Sequence, residues 1–310
     1  QYETLFKFSS LTYFSLSIWD TPFSLLSDED EFGPLTSLFT RCPQLSSIIL
    51  ELNHHEFPYS PSALVATLGD QCVFPSLRRF YAQGCVDPDW SEFFVNPNSH
   101  PLRQFLKRHP GIEDLAFGYA PETAYCYDID PTEMAQLFPS LKSFEGPVFL
   151  FKPIVLSALS EQIEKLTIVD DRLLDEVSLT KMYDLIPRLP RLRTFGIWSD
   201  AVDEGILVNI LRTIVNAAAG QLEEIEIHDI DSGSYGEVME LIAQVRGLRS
   251  VTLDESVLGM AAKNDAEKLE WNSFAANLRR TCPRLRTIYR PIRKFDNENR
   301  EKVWELLDDA

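Results

Sequence analysis

One phrase recurs about ten times along this chain, and nothing else in the sequence restricts the fold as strongly. Residues 186–200, IPRLPRLRTFGIWSD, show it plainly. A helical apolar end (Ile186, Leu189) is broken at Pro190, and the leading residue Leu192 opens onto Phe195-x-Ile197, an alternation of strand period. Counterparts are SSLTYFSLSI (9–18), CPQLSSIILEL (42–52), FPSLRRFYAQGC (74–85), HPGIEDLAFGY (109–119) and FPSLKSFEGPV (138–148). SEQIEKLTIVD (160–170), AGQLEEIEIHDI (219–230), VRGLRSVTLDES (245–256) and CPRLRTIYRPI (282–292) complete the set. The leading residues are Leu11, Leu45, Leu77, Ile112, Leu141, Ile163, Leu192, Leu222, Leu248 and Leu285, spaced 22 to 37 residues apart. Self-similarity at such a period marks a repeat architecture, with room in each interval for one strand and one helix.

Between the phrases the sequence turns helical. Ser60-Pro61, Asp87-Pro88 and Asp130-Pro131 each place a capping side chain before a proline at the first helical position. Asp130 with Glu133 has the spacing of a capping box. Segments 171–187, 202–218, 235–246 and 264–281 carry apolar residues at helical spacing, and 297–310 is expected to form a C-terminal capping helix. The acidic run Asp28-Glu29-Asp30-Glu31 reads as a solvated loop. Neighbouring strands sit ~4.8 Å apart while packed helices need ~8–10 Å, so a stack of such units is expected to curve with its sheet inside. The expected architecture is one α/β solenoid over residues 1–310, with a concave parallel sheet, helices on the convex side and no internal domain boundary.

Composition narrows the class of partner. With 45% apolar and 25% charged residues the chain has the make-up of a globular protein. No apolar run approaches the ~18 residues of a membrane span. The stretch QYETLFKFSSLTYF lacks the basic-then-apolar order of a signal peptide; it has no initiator Met and opens inside a repeat, so a piece of a longer protein is expected. The formal charge of -18 is spread along the chain, with 19 acids to 9 bases in residues 1–155 and 28 to 20 in the rest. A surface of that sign repels phosphate backbones, which argues against nucleic acid as a partner. Cys42, Cys72, Cys85, Cys126 and Cys282 are odd in number and lack CxxC spacing. Neither a disulfide framework nor a zinc site is expected, and a reducing, intracellular compartment fits.

The pattern L-x-x-L-x-L-x-x-N/C is the leucine-rich-repeat signature, and the ten phrases resemble it over nearly the whole chain. Its closing small polar position holds Asn53, Cys85, Asp171, Asp200 or Ser256 in five repeats, and Trp19, Ala120, Phe149 or Ile230 in others. The C-P-x-L and F-P-x-L openings and uneven spacings look like the repeat region of F-box proteins, particularly the large fungal set. The resemblance implies a ribonuclease-inhibitor-like horseshoe and a non-catalytic role in protein recognition. It also implies a setting in a cullin–RING ubiquitin ligase: the repeats hold the substrate protein, and an F-box ahead of them docks to the ligase adaptor. No F-box helices precede Leu11 in this chain. A leucine-rich-repeat scaffold without a ubiquitin link is the alternative.

Strand alternation then names the residues expected on the open face. Large amphipathic aromatics supply much of the energy at protein interfaces, which singles out Tyr13, Tyr81, Trp198 and Tyr289. Single exposed aromatics also occur with no partner at all. Arg79 and Lys165 join the partner-binding set, as do Glu224, Glu226, His228 and Asp254, an acidic patch across two repeats. Of opposite sign, residues 279–294 hold Arg279, Arg280, Arg284, Arg286, Arg290, Arg293 and Lys294 and no acid. Arg284, Arg286, Arg290, Arg293 and Lys294 are the candidate patch for an acidic or phosphorylated ligand, because Arg forks match such groups bidentately. The alternative is that Arg279 and Arg280 neutralise a helix C-terminus and the others cover solvated loop.

Catalytic and cofactor chemistry is not expected. His54-His55-Glu56 has no matching ligand nearby, and adjacent strand residues point apart, so no metal site follows from it. Gly233-Ser234-Tyr235-Gly236 is too short for a phosphate loop and lacks the following Lys. Neither a nucleophile elbow nor a zincin helix motif occurs.

Overall fold

Proline at the second position of a four-residue turn pre-sets the backbone there, and six of the phrases open on such a turn. In Cys42-Pro43-Gln44-Leu45 the Leu45 N–H donates to the Cys42 carbonyl at 3.1 Å. The same bond closes from Leu77 to Phe74 (3.0 Å), Ile112 to His109 (3.1 Å), Leu141 to Phe138 (3.1 Å), Leu192 to Leu189 (3.3 Å) and Leu285 to Cys282 (3.0 Å). Cys42 and Cys282 fill this site as buried, free thiols, packing as small apolar groups.

A computed structural model describes residues 7–19, 33–53, 61–84, 90–118, 129–170, 188–198, 204–218, 220–228, 235–253, 276, 278–296 and 299–306. The fold is α/β, and the chain divides into two compact units, Gln1–Leu159 and Ser160–Ala310. In the first, β1 (Tyr13–Trp19), β2 (Ser47–Asn53), β3 (Arg79–Gly84), β4 (Asp114–Phe117) and β5 (Ser143–Pro147) pair in sequence order, all parallel. In the second, β6 (Lys165–Asp170), β7 (Thr194–Trp198), β8 (Glu224–His228), β9 (Ser250–Leu253) and β10 (Thr287–Asp296) do the same. Every one of these strands starts two residues after its leading residue.

A second backbone device aligns successive strands. Within each unit, the carbonyl just after a leading residue accepts two N–H groups from the next repeat. Ser46 O accepts from Arg78 (2.8 Å) and Arg79 (3.1 Å), and Arg78 O accepts from Glu113 (2.8 Å) and Asp114 (3.0 Å). Arg193 O accepts from Glu223 (2.8 Å) and Glu224 (2.9 Å), and Arg249 O from Arg286 (2.9 Å) and Thr287 (3.1 Å). Register is thereby set at the start of each strand, so apolar residues of neighbouring strands lie level.

Helices of the first unit are α1 (Gly33–Arg41), α2 (Pro61–Leu68), α3 (Trp90–Val95), α4 (Pro101–Arg108), α5 (Pro131–Leu137) and α6 (Val148–Val155). Among the described residues of the second are α7 (Glu204–Ala218) and α8 (Tyr235–Ile242), and residues 278–281 are helical as well. The β3–β4 interval holds two helices, and aromatic packing explains why. Trp90, 1% exposed, meets Phe93 (5.2 Å) within α3 and Phe117 (5.2 Å) and Phe149 (5.3 Å) across the core, ring centre to ring centre. Arg103 of α4 is buried beside them, donating to the Phe93 carbonyl at 3.1 Å and pairing with Glu133. The shortest repeat spacing, Leu141 to Ile163, is taken up by α6, whose sequence VFLFKPIV is apolar on nearly every side and buried to match.

Asp130 caps α5 as expected, its side chain accepting from Thr132 N–H at 2.8 Å with Pro131 next in line. The carboxylate of Glu133 goes to Arg103, so the capping box is replaced by a single cap and an ion pair. Asp130→Ala is expected to cost about 1 kcal/mol in urea unfolding, and Asp130→Asn much less.

One expectation is overturned at the C-terminus. Residues 299–306 form β11 (Asn299–Leu306), antiparallel to β10 with Asp296 opposite Asn299, in place of the helix expected over 297–310. The reason is the outer edge of β10. Its free N–H and C=O groups draw an adjacent segment into strand pairing, and helix-like spacing in NREKVWEL yields to that demand. The expected helix at 171–187, the Asp87-Pro88 cap and most of 264–281 lie outside the described residues.

Candidate recognition surface

Alternation along the strands sorts side chains onto two faces. Inward residues reach the helices: Phe14 meets Phe39 of α1 at 5.5 Å, Phe80 meets Phe105 of α4 at 5.1 Å, and Phe117 meets Trp90 of α3. The inward residues Ile48, Leu50, Phe80, Leu115, Phe144, Leu166, Phe195, Ile197, Ile225 and Val251 are at most 2% exposed. The residues between them therefore line the face away from the helices, in level rows.

In the first unit one row reads Tyr13, Ser47, Arg79, Asp114, Ser143, and the next Ser15, Ile49, Tyr81, Ala116, Glu145. Tyr13 is exposed at 55%. Arg79 Nε donates to Asp114 Oδ2 at 2.7 Å, and the Tyr81 hydroxyl donates to the same carboxylate at 3.0 Å. The Arg79 guanidinium also lies 5.7 Å from the Tyr81 ring centre. Further along the strands, Ser17 Oγ donates to Glu51 Oε2 (2.9 Å) and Gln83 Nε2 to Glu145 Oε1 (2.5 Å). Burial, then the Asp114 and Glu145 carboxylates, push the Tyr81 hydroxyl above its ordinary pKa, while Arg79 opposes. Tyr81 is thus a fixed donor, with an aromatic body and an ordered neighbour on each side.

The second unit presents a row of Lys165, Thr194, Glu224, Ser250 and Thr287, of which Glu224 is exposed and accepts from Thr194 Oγ1 at 3.1 Å. Trp198 lies at the strand end, 37% exposed, with its ring 5.0 Å from that of His228. His228 itself is 4% exposed, Nε2 lying 2.9 Å from Glu226 Oε1. The structure therefore separates the expected acidic patch into exposed Glu224, half-buried Glu226 and a His228 held behind Trp198.

Alternation alone also places Ala116, Glu145 and Thr167 on the open face, yet they are 0%, 9% and 2% exposed. Ala116 is small and sits between Tyr81 and Glu145, which overhang it. Thr167 leans across Gly196 on the next strand, where an added Cβ would approach Thr167 Cγ2 to 3.0 Å. The pairing of Asp114 with both Arg79 and Tyr81, and of Gln83 with Glu145, is invisible in the sequence, because the partners are 33 to 62 residues apart. A cross-strand opposite-charge pair is the one signal that could have found it, once register is known.

Of the basic candidates, Arg284 and Arg286 are exposed where β10 starts. Tyr289, Arg290, Arg293 and Lys294 have only their backbone described, within β10, and Asp254 lies outside the described residues, as does His54-His55-Glu56. Among the described residues no three His, Cys, Asp or Glu come together to hold a metal ion, and no helix is long and apolar enough to cross a membrane. Burial raises the thiol pKa of Cys72 and of Cys282, which keeps both protonated. Neither protein-family models nor curated proteins give a match to this chain.

Proposed function

We propose that this chain is a leucine-rich-repeat recognition domain that holds a protein partner against the face away from its helices. The observation that carries the proposal is the level row of Tyr13, Ser47, Arg79 and Asp114 with Tyr81 beside it, in which Arg79, Asp114 and Tyr81 are hydrogen-bonded to one another before any partner arrives. Aromatic and arginine anchors are the residue types that dominate interface energetics, and ordering them in advance lowers the entropic cost of association. The resemblance of the repeats to those of F-box proteins supports a role as the substrate receptor of an intracellular cullin–RING ubiquitin ligase.

Affinity capture of the full-length protein from its own cells tests this, with the ligase adaptor as readout. Co-purification of an adaptor supports the receptor role; a partner captured without any adaptor favours a scaffold. For the face itself, Tyr13→Ala combined with Arg79→Ala is expected to weaken the captured partner at least about tenfold while the thermal midpoint changes little. Unchanged binding in that variant would place the partner elsewhere.

A further inference from the structure

The starts of the strands in the second unit carry a charge pattern unlike the rest of this acidic chain. At β7, β9 and β10 the leading residue is flanked by arginines: Arg191 and Arg193, Arg246 and Arg249, Arg284 and Arg286. All six are exposed. The backbone ladder makes residues 193, 223, 249 and 286 equivalent positions on four consecutive strands, through Glu223 N to Arg193 O, Arg249 N to Glu223 O and Arg286 N to Arg249 O. Glu164, exposed at the same position on β6 beside Arg193, and Glu223 are the acids at this level, and the one ion pair there among the described residues is Arg249 Nη1 to Glu223 Oε2 at 3.2 Å.

The first unit shows what a neutralised edge looks like. There Arg78, Glu113 and Lys142 occupy the same position on β3, β4 and β5 and alternate in sign, Glu113 lying 3.7 Å from Arg78 and 2.7 Å from Lys142. In the second unit the alternation fails between Arg249 and Arg286, like charges on adjacent strands ~4.8 Å apart, an unfavourable arrangement that a bound anion relieves. The C-terminal ends of α7 and α8 contribute only about half a negative charge each, and together with Glu164 and Glu223 they offset only part of the charge of six guanidinium groups.

We infer that this strip is a second interaction surface, and that it takes a glutamate- or aspartate-rich segment of a partner protein. Charge complementarity sets the sign of the ligand and spacing sets its form. From β7 to β10 the strip runs three strand spacings, ~14 Å, the length of about four extended residues. A single phosphate would engage two guanidinium groups and leave the others unused, whereas a run of carboxylates meets them in turn. The net charge of -18 does not prevent this, because charges more than about 8 Å away are screened at physiological salt. The strip is distinct from the face that carries Tyr13 and Arg79, so the two surfaces can fail or succeed separately.

Fluorescence anisotropy of the full chain with a labelled peptide of eight glutamates, at 50 and 150 mM NaCl, tests the assignment. Binding is expected at low salt and weaker at high salt. Arg193→Glu with Arg286→Glu is expected to reduce it at least tenfold without moving the thermal midpoint, and Tyr13→Ala is expected to leave it unchanged. No binding at 50 mM, or binding that survives the double reversal, overturns the inference. So does loss of binding in Tyr13→Ala, or tighter binding of a singly phosphorylated peptide or of a ten-nucleotide single-stranded DNA.

Discussion

Phe195→Ala is expected to lower the unfolding free energy of the second unit by about 3–5 kcal/mol, the range for a fully enclosed aromatic. Phe195 is 0% exposed and level with Leu166 on β6 and Ile225 on β8, themselves 0% and 1% exposed. Its removal leaves a cavity in the row that joins three repeats, where each strand depends on its neighbours for burial. Because whole-domain stabilities are commonly only about 5–15 kcal/mol, one such change consumes much of the total. Trp198, three residues on, provides the internal contrast. Its ring is partly exposed and rests on His228, so Trp198→Ala is expected to cost less, about 1–2 kcal/mol of apolar contact. Urea unfolding of both variants decides the matter: a smaller loss for Phe195→Ala than for Trp198→Ala would mean that β7 faces the other way.

His109→Ala is expected to cost about 3 kcal/mol in the first unit and to remove a pH dependence as well. The ring ties two repeats together at the turn that leads into β4. Nδ1–H donates to the Phe105 carbonyl at 2.6 Å, Nε2 accepts the Phe74 N–H at 2.9 Å, and the ring stacks on Phe74 at 5.6 Å. Truncation leaves the Phe74 N–H without that acceptor and opens a hole beside Phe105. Both nitrogens are engaged in the neutral form, and protonation would set a second donor against the Phe74 N–H. Burial lowers the pKa below the ordinary 6.5, with Arg108 adding to the effect and the Phe105 carbonyl opposing it. Below about pH 6.5 the unfolded chain therefore takes up a proton that the folded chain refuses. The stabilisation is complete above that pH and is lost as pH falls toward the folded value, with a slope of at most about 1.4 kcal/mol per pH unit. Unfolding wild type and His109→Gln between pH 8 and 5 isolates this contribution as the difference between their slopes. Parallel slopes would show that His109 is not held neutral.

The repeat is legible in the chain because its signals are local. Six proline turns, the two-residue offset from each leading residue to its strand, and the phase that buries Phe195 yet leaves Trp198 partly exposed all follow from residues within a few positions of one another. Helix or strand at 299–306 was not legible in the same way, since a helix-compatible pattern was decided by the unpaired edge of β10. Site residues divide along the same line. Tyr13 and Arg79 stand exposed where alternation puts them; His228 does not, because Trp198 from the neighbouring strand lies against it.

By itself the sequence determined the number of strands in the parallel rows, their order of side-chain faces, and the residue types offered on the face away from the helices. Those depend on turn chemistry and on periodicity, which act over two to four residues. Only the tertiary structure decided which of the offered residues meet. Asp114 holds Arg79 and Tyr81, Glu223 holds Arg249, and Arg249 and Arg286 are left side by side. Contacts between residues some 25 to 60 positions apart depend on register, and register is set by backbone bonds between repeats that leave no mark on any single stretch of sequence.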